Sequence, residues 1–308
     1  MKYISSLIFS MLFFFLTGCE SSLNDLKQNQ IKVSKPIVLT TFTVIADIAS
    51  NVAGDRLQVN SITKVGSEIH GYKPTPSDVI KGSKARLIVE NGLGLELWAS
   101  EFINASGNVS KITLSEGIEP LLIEGDVYAG KPNPHAWMSP LKAIHYVDKL
   151  VDAFIKIDPA GRETYIINAK NYKQKLIELD KELRSKISRI PLEKRILISC
   201  EGAFTYLTND YGMKEAYLWP VNAESQVTPK RIVNLINTIK EKEIPTIFCE
   251  STVNTKVQKE VAKQSGAKYG GSFFVDSLSE ANGPAPTFLK LMRHNLDLIM
   301  NGLLSISE

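Results

Sequence analysis

Two histidines and two acids in this chain, His70, His135, Glu201 and Asp276, stand where they could hold a cation together. Two imidazoles and two carboxylates make a mixed nitrogen and oxygen set, borderline to hard in character, which suits a divalent first-row ion. The carboxylates cancel the charge of such an ion. His70 follows a β-branched run, Val59 to Val65, and leads into Thr75-Pro76-Ser77-Asp78. There Thr75 can cap a helix, Pro76 fits its first position, and Asp78 sits where a capping box wants a carboxylate. Pro74 and Pro76 hold the residues before them extended, so His70 rides a stiff loop between a strand and a helix. The arrangement recurs at Asn133-Pro134-His135, ahead of Ser139 as N-cap and Pro140. Glu201 closes the apolar run Arg195 to Cys200, and Asp276 closes Tyr269 to Val275. All four lie at the carboxyl end of a strand or the head of a helix, where α/β sheets bind ligands.

The elements that must position them alternate strand and helix from Ile37 onward, which predicts an α/β fold with parallel sheets. The pattern of the first half repeats in the second. Between them, Pro159 to about Ile190 carries apolar residues at helical spacing without an internal proline. A helix of that length exceeds what one small domain needs and reads as a strut joining two lobes. It is not a coiled coil, because no heptad repeats through it. The expected division is a signal peptide at 1–18, a lipidated tether at 19–36, an N-terminal lobe at 37–158, a linking helix at 159–190 and a C-terminal lobe at 191–308. The four candidate ligands, two from each lobe, would meet in the cleft between lobes.

The N-terminus points outside the cytoplasm. Lys2 precedes an apolar run, Ile4 to Leu16, too short for a dedicated membrane span and suited to a signal peptide. It ends in Leu16-Thr17-Gly18-Cys19, which resembles the bacterial lipobox and implies cleavage before Cys19 and acylation of its thiol. Two cysteines then remain, Cys200 and Cys249, each ending an apolar strand-like run. An oxidising compartment permits a disulfide, but buried free thiols are the reading favoured here. The formal net charge of +3 over 308 residues is too slight to argue for nucleic acid.

Several stretches occur in a family's order and spacing. His70-Gly71-Tyr72-Lys73-Pro74-Thr75-Pro76-Ser77-Asp78, Asn133-Pro134-His135-Ala136-Trp137, Cys200-Glu201-Gly202-Ala203-Phe204 and Asp276-Ser277-Leu278 resemble the substrate-binding lipoproteins of manganese, iron and zinc ABC importers. Glu250-Ser251-Thr252-Val253 and Gly283-Pro284-Ala285-Pro286-Thr287 are similar to that family too. The resemblance covers the chain from about Ile37 to its end. It implies two lobes with a linking helix and one divalent metal in the cleft, held by His70, His135, Glu201 and Asp276. Many members have aspartate-proline before the first histidine, where this chain has Glu68-Ile69. That keeps His70 in register but changes what surrounds it. The family's zinc-selective members tend to have a third histidine and a histidine-rich acidic loop, whereas this chain has Glu201 and four histidines in all. Manganese or ferrous iron is therefore expected as cargo, with zinc able to compete because it binds most such sites more tightly than manganese.

The expected function is an exported, lipid-anchored receptor, periplasmic or on the cell surface. It would act as a monomer, capture the ion and deliver it to a separate ABC permease and ATPase. No G-x-x-x-x-G-K-[ST] loop occurs in this chain. Modest lobe closure and release at low pH are expected, since protons compete with metal for these ligands. A surface adhesin is the alternative. A metallohydrolase fares worse, because catalytic zinc keeps one position open for water and four protein ligands leave less room. Of the remaining candidates, His145 is read as structural and His294 as a surface residue. Glu250 is read as lining the cleft, and Trp137, Trp219 and Tyr72 as packing around it.

Overall fold

The structure is a computed structural model that describes residues 34–107, 109–124, 128–221 and 227–304. The signal peptide, Cys19 and nearly all of the tether lie outside the described residues. The first sheet contains β1 (Ile37–Thr40), β2 (Gln58–Ser61), β3 (Leu87–Glu90) and β4 (Lys111–Thr113), in the order β2-β1-β3-β4 with every pair parallel. Helices α1 (Thr43–Ala53), α2 (Pro76–Lys84) and α3 (Ala99–Ala105) make the crossovers. Alternation along β1 sends Val38 into a large core and Leu39 into a smaller one on the opposite face. Both faces are thus buried, as a parallel sheet requires. The second half holds β5 (Ile196–Glu201) parallel to β6 (Lys214–Trp219), and β7 (Thr246–Glu250) parallel to β8 (Lys268–Phe273).

Local chemistry explains most helix ends. Thr75 accepts the Asp78 N–H while the Asp78 carboxylate accepts the Thr75 N–H, the expected capping box. Ser139 caps α4 (Pro140–Ile157) through the Lys142 N–H, and Thr228 caps α7 (Pro229–Glu241) through the Arg231 N–H. The Gly270-Gly271 pair produces a bulge. The register of β7 on β8 shifts between Ile247 and Cys249, and a Cβ on Gly270 would lie 2.4 Å from Phe248 Cε1.

The long helix α5 (Arg162–Ile187) has 26 residues and is about 39 Å long at 1.5 Å per residue. It starts later than its sequence suggests. Asp158 does not cap it, because Arg56 and Tyr165 take the Asp158 carboxylate and a 3-10 turn at Pro159–Gly161 intervenes. Tyr165, Ala169, Tyr172, Leu176, Leu179, Leu183 and Ile187 form its buried stripe. That stripe packs on α1 and α4 from the first half and on the C-terminal α9 (Phe288–Leu304), which itself lies on β7 and β8. The large core therefore runs without a break from Val38 and Phe42 through α5 to Phe204, Phe248 and Phe273. A side chain such as Leu176 is fully buried there, and truncating it to alanine would cost about 2–5 kcal/mol.

One expectation is corrected here. Cys200 and Cys249 are not free thiols but form a disulfide, with Cα atoms 4.7 Å apart. They lie one residue before the ends of neighbouring strands, β5 and β7, which lead into α6 (Thr205–Asp210) and α8 (Lys256–Ser265). The amide of Gln258 in α8 clamps the same two strands by donating to Ser199 O and Phe248 O.

Candidate metal centre

His70, His135, Glu201 and Asp276 meet, each offering one ligand atom, with these atoms within 4.8 Å of one another. His70 Nε2 lies 3.2 Å from Glu201 Oε1 and 3.6 Å from Asp276 Oδ2. His135 Nε2 lies 3.6 Å from Asp276 Oδ1 and 3.9 Å from Glu201 Oε1. Ligands held roughly 2.1 Å from a common ion sit about 3 to 3.5 Å from their neighbours, so these spacings need only slight contraction. All four side chains are buried. Among the described residues, His70 Nδ1 and Nε2, His135 Nε2 and both Asp276 oxygens have no hydrogen-bond partner. Removing two carboxylates from water costs several kcal/mol each unless opposite charge repays it, and a divalent cation would.

The charges reflect the same crowding. Burial opposes a charged imidazole at His70, but Glu201, Asp276 and Glu68 together outweigh it and raise its pKa to about 9. Burial dominates at His135 and lowers its pKa to about 3, the Glu201 carboxylate opposing and His70 adding to the fall. Burial raises the Asp276 carboxyl above the usual carboxylate range despite nearby His70. Glu250 is fully buried; burial and Glu201 raise its pKa well above normal. It stands beside the four, its Oε2 accepting the Glu201 N–H at 3.2 Å. It therefore braces the strand end that carries Glu201, in keeping with a lining position.

The His70 loop is held by its own half of the molecule. Glu68 accepts the N–H groups of His70 at 2.5 Å and Gly71 at 2.7 Å. Ile69 is fully buried, and its carbonyl accepts Trp98 Nε1–H at 3.0 Å. The Glu68-Ile69 departure from the family pattern thus supplies a carboxylate cap and an apolar anchor. Tyr72 packs at a tilt on Trp98 and donates to Asp78. His135 is held across the halves. Asn133 Oδ1 accepts the His135 N–H at 3.0 Å and lies 2.9 Å from its ring Nδ1. Asn133 Nδ2 donates to Gly202 O at 2.7 Å and Thr205 Oγ1 at 3.0 Å. Trp137 is buried against Phe42 and the His135 ring, and donates to Val275 O at 3.1 Å.

Sequence reasoning gave Asn133 no part of its own. The signal was present: an asparagine two residues before a backbone N–H it can accept is an Asx-turn. Three other residues fall outside the site. Trp219 is buried in the second-half core with Ile198 and Ile236, at the β6 position that pairs with Glu201. His145 meets Glu116 O at 2.8 Å. His294 is half-buried, not a surface residue, meeting Ser272 O at 3.1 Å with its ring edgewise to Phe274.

The profile of the family described as ZnuA, zinc-uptake complex component A, periplasmic, matches residues 38–302. The iron-binding protein YfeA of Yersinia pestis is 48% identical over 265 residues, which cover 86% of this chain and 85% of that protein. The manganese ABC transporter substrate-binding lipoprotein PsaA of Streptococcus anginosus is 35% identical over 94% of each chain. Among solved structures, the manganese-bound periplasmic metal-binding protein from Candidatus Liberibacter asiaticus matches with a TM-score of 0.79 at 37% identity, over 87% of this chain and 100% of that one. The periplasmic zinc-binding protein TroA from Treponema pallidum matches with a TM-score of 0.82 at 27% identity, over 88% and 99%.

Proposed function

We propose, from the premise that this chain belongs to the ZnuA family of periplasmic metal-uptake components, that His70, His135, Glu201 and Asp276 capture one divalent transition-metal ion as cargo. The observation carrying this reading is the buried meeting of two imidazoles with two carboxylates, where His70 Nε2, His135 Nε2 and both Asp276 oxygens lack hydrogen-bond partners among the described residues. A water-excluded set with this charge balance favours an M²⁺ ion over a neutral or anionic ligand. Manganese or ferrous iron ranks first, and zinc competes. This is a receptor, not an enzyme: four protein ligands surround the ion from both halves. We further propose that the chain is anchored through lipid on Cys19, works as a monomer and passes its ion to an ABC permease served by a separate ATPase. Its parts would be a lobe at 37–158, a linking helix at 159–190 and a lobe at 191–308. Among the described residues no helix is long and apolar enough to cross a membrane.

The test is metal content by mass spectrometry. Stripped protein lacking residues 1–19 is exposed without oxygen to equimolar manganese, ferrous iron and zinc, beside Asp276→Ala. One metal per chain, lost in the variant, is the expected result. Wild-type protein without stoichiometric metal, or binding indifferent to Asp276, would remove the four-ligand reading.

A further inference from the structure

We propose that Asn133 is the positioning residue of this centre: its amide fixes which nitrogen of His135 faces the ion and fastens that imidazole to the segment carrying Glu201. The inference rests on the reading that His135 and Glu201 hold one ion.

The amide's orientation follows from its four neighbours. On one side is a fixed donor, the His135 backbone N–H, with ring Nδ1 at 2.9 Å beside it. On the other are two oxygens, Gly202 O and Thr205 Oγ1. Thr205 spends its own hydroxyl proton on Glu215 Oε2 at 2.7 Å, so toward Asn133 it acts as an acceptor. Reversing the amide would set N–H against N–H and oxygen against oxygen. Oδ1 therefore faces the ring, and an amide oxygen only accepts. The proton of a neutral His135 ring must sit on Nδ1, which leaves the Nε2 lone pair aimed at Asp276 and Glu201. A ligand histidine whose far nitrogen is fixed in this way has its tautomer and ring plane decided before any ion arrives.

The same side chain spans the two halves. Gly202 follows Glu201 directly, so Asn133 grips the backbone beside one carboxylate. Trp137, four residues on, grips Val275 O beside Asp276. Tyr206 returns the contact by donating to Asn133 O at 2.9 Å. The segment from Asn133 to Trp137 thus places His135 between two bonds, each next to an acid of the opposite half. Asn133 is 2% exposed, so water offers no substitute for what its amide supplies.

The experiment compares wild type, Asn133→Ala and Asn133→Asp. Ring ¹⁵N shifts of His135 are read in metal-free protein at neutral pH, and manganous ion is titrated calorimetrically. Wild type should show the Nδ1–H tautomer. Asn133→Ala should show a mixture and bind Mn²⁺ about 10–100-fold more weakly, the usual effect of losing a partner behind a ligand. Asn133→Asp keeps the acceptor for both N–H groups but cannot donate to Gly202 O. It should recover Nδ1–H, a rescue that a merely space-filling asparagine would not show. A pure Nδ1–H ring in Asn133→Ala, or wild-type Mn²⁺ affinity in that variant, overturns the proposal. If the alanine variant does not fold, the near-isosteric aspartate variant decides, and an Nε2–H ring there overturns it. Wild type that shows the Nδ1–H ring but takes up no Mn²⁺ would instead overturn the metal reading while leaving the tautomer assignment standing.

Discussion

His70 and His135 ride loops built from similar parts, a stiffening proline and a capped helix beyond, yet they are held in opposite ways. His135 is fully buried, its far nitrogen is partnered, and its neighbours bond to both strand ends of the second half. Both ring nitrogens of His70 lack a hydrogen-bond partner among the described residues. Its backbone is tied to Glu68 and Trp98 of its own half, and the loop's bond to the second half, Gly66 N–H to Ser277 Oγ at 2.7 Å, lies well before the histidine. The second-half acids are braced in turn. Glu201 adjoins the Cys200–Cys249 disulfide and gives its N–H to Glu250. The comparison separates a histidine whose far nitrogen is held across the halves from one whose Nε2 faces the two acids, Glu201 at 3.2 Å and Asp276 at 3.6 Å, with nothing behind its ring among the described residues. On the proposed reading, His135 is the histidine whose orientation is set from behind, and His70 is the one oriented by the acids alone.

The strongest way to break this contrast is to remove each histidine. His135→Ala should lose far more than the roughly 10–100-fold expected of an outer partner, measured by Mn²⁺ calorimetry. His70→Ala should lose less and retain a measurable one-to-one isotherm. Equal losses would remove the asymmetry. Next is the bracing. Reducing the disulfide, which closes a 49-residue separation, should cost about 4 kcal/mol in the chain-entropy account. It should lower the denaturation midpoint and weaken Mn²⁺ binding, while protease cleavage in the 66–73 loop stays unchanged.

Proton uptake sharpens the comparison further. With its pKa raised to about 9, His70 is protonated near neutral pH, whereas His135, near 3, is not. Metal must then displace a proton from His70, and affinity should fall as pH is lowered, by up to tenfold per pH unit for one displaced proton. Titrations in buffers of different ionisation enthalpy should count at least one proton released at pH 7, since the Asp276 carboxyl is raised as well, and His70→Gln should lower that count. The smallest effect is expected at Asp78. Asp78→Ala removes the capping box below the His70 loop and should cost about 1 kcal/mol, seen in the urea midpoint with Mn²⁺ stoichiometry unchanged.

Much of this was legible in the sequence, for local reasons. The Thr75-Pro76 and Ser139-Pro140 starts are read from single residues whose chemistry acts within one turn, and both caps form in the structure. The four candidate ligands were found from their place at strand ends and helix heads, and the fold brings them together. What stayed hidden depends on contacts far apart in sequence. The cysteine pair needed the lateral placement of β5 and β7, which neither apolar run specifies. The half-burial of His294 depends on Phe274 and Ser272, and the grip of Asn133 on Gly202 spans 69 positions. The Asn133 turn itself was local and could have been read.

The long helix α5 has a consequence for how occupancy is announced. It is seated along its length on α1 and α4 from one half and on α9 from the other, so it behaves as a keel rather than a hinge. A large swing of the halves would tear Tyr165, Leu176 and Leu183 from their seats. On the proposed reading, filling the site should therefore leave the outline of the protein little changed. A docking partner that told the two states apart would then have to read a small area at the centre itself, around His70 and the loop that carries it.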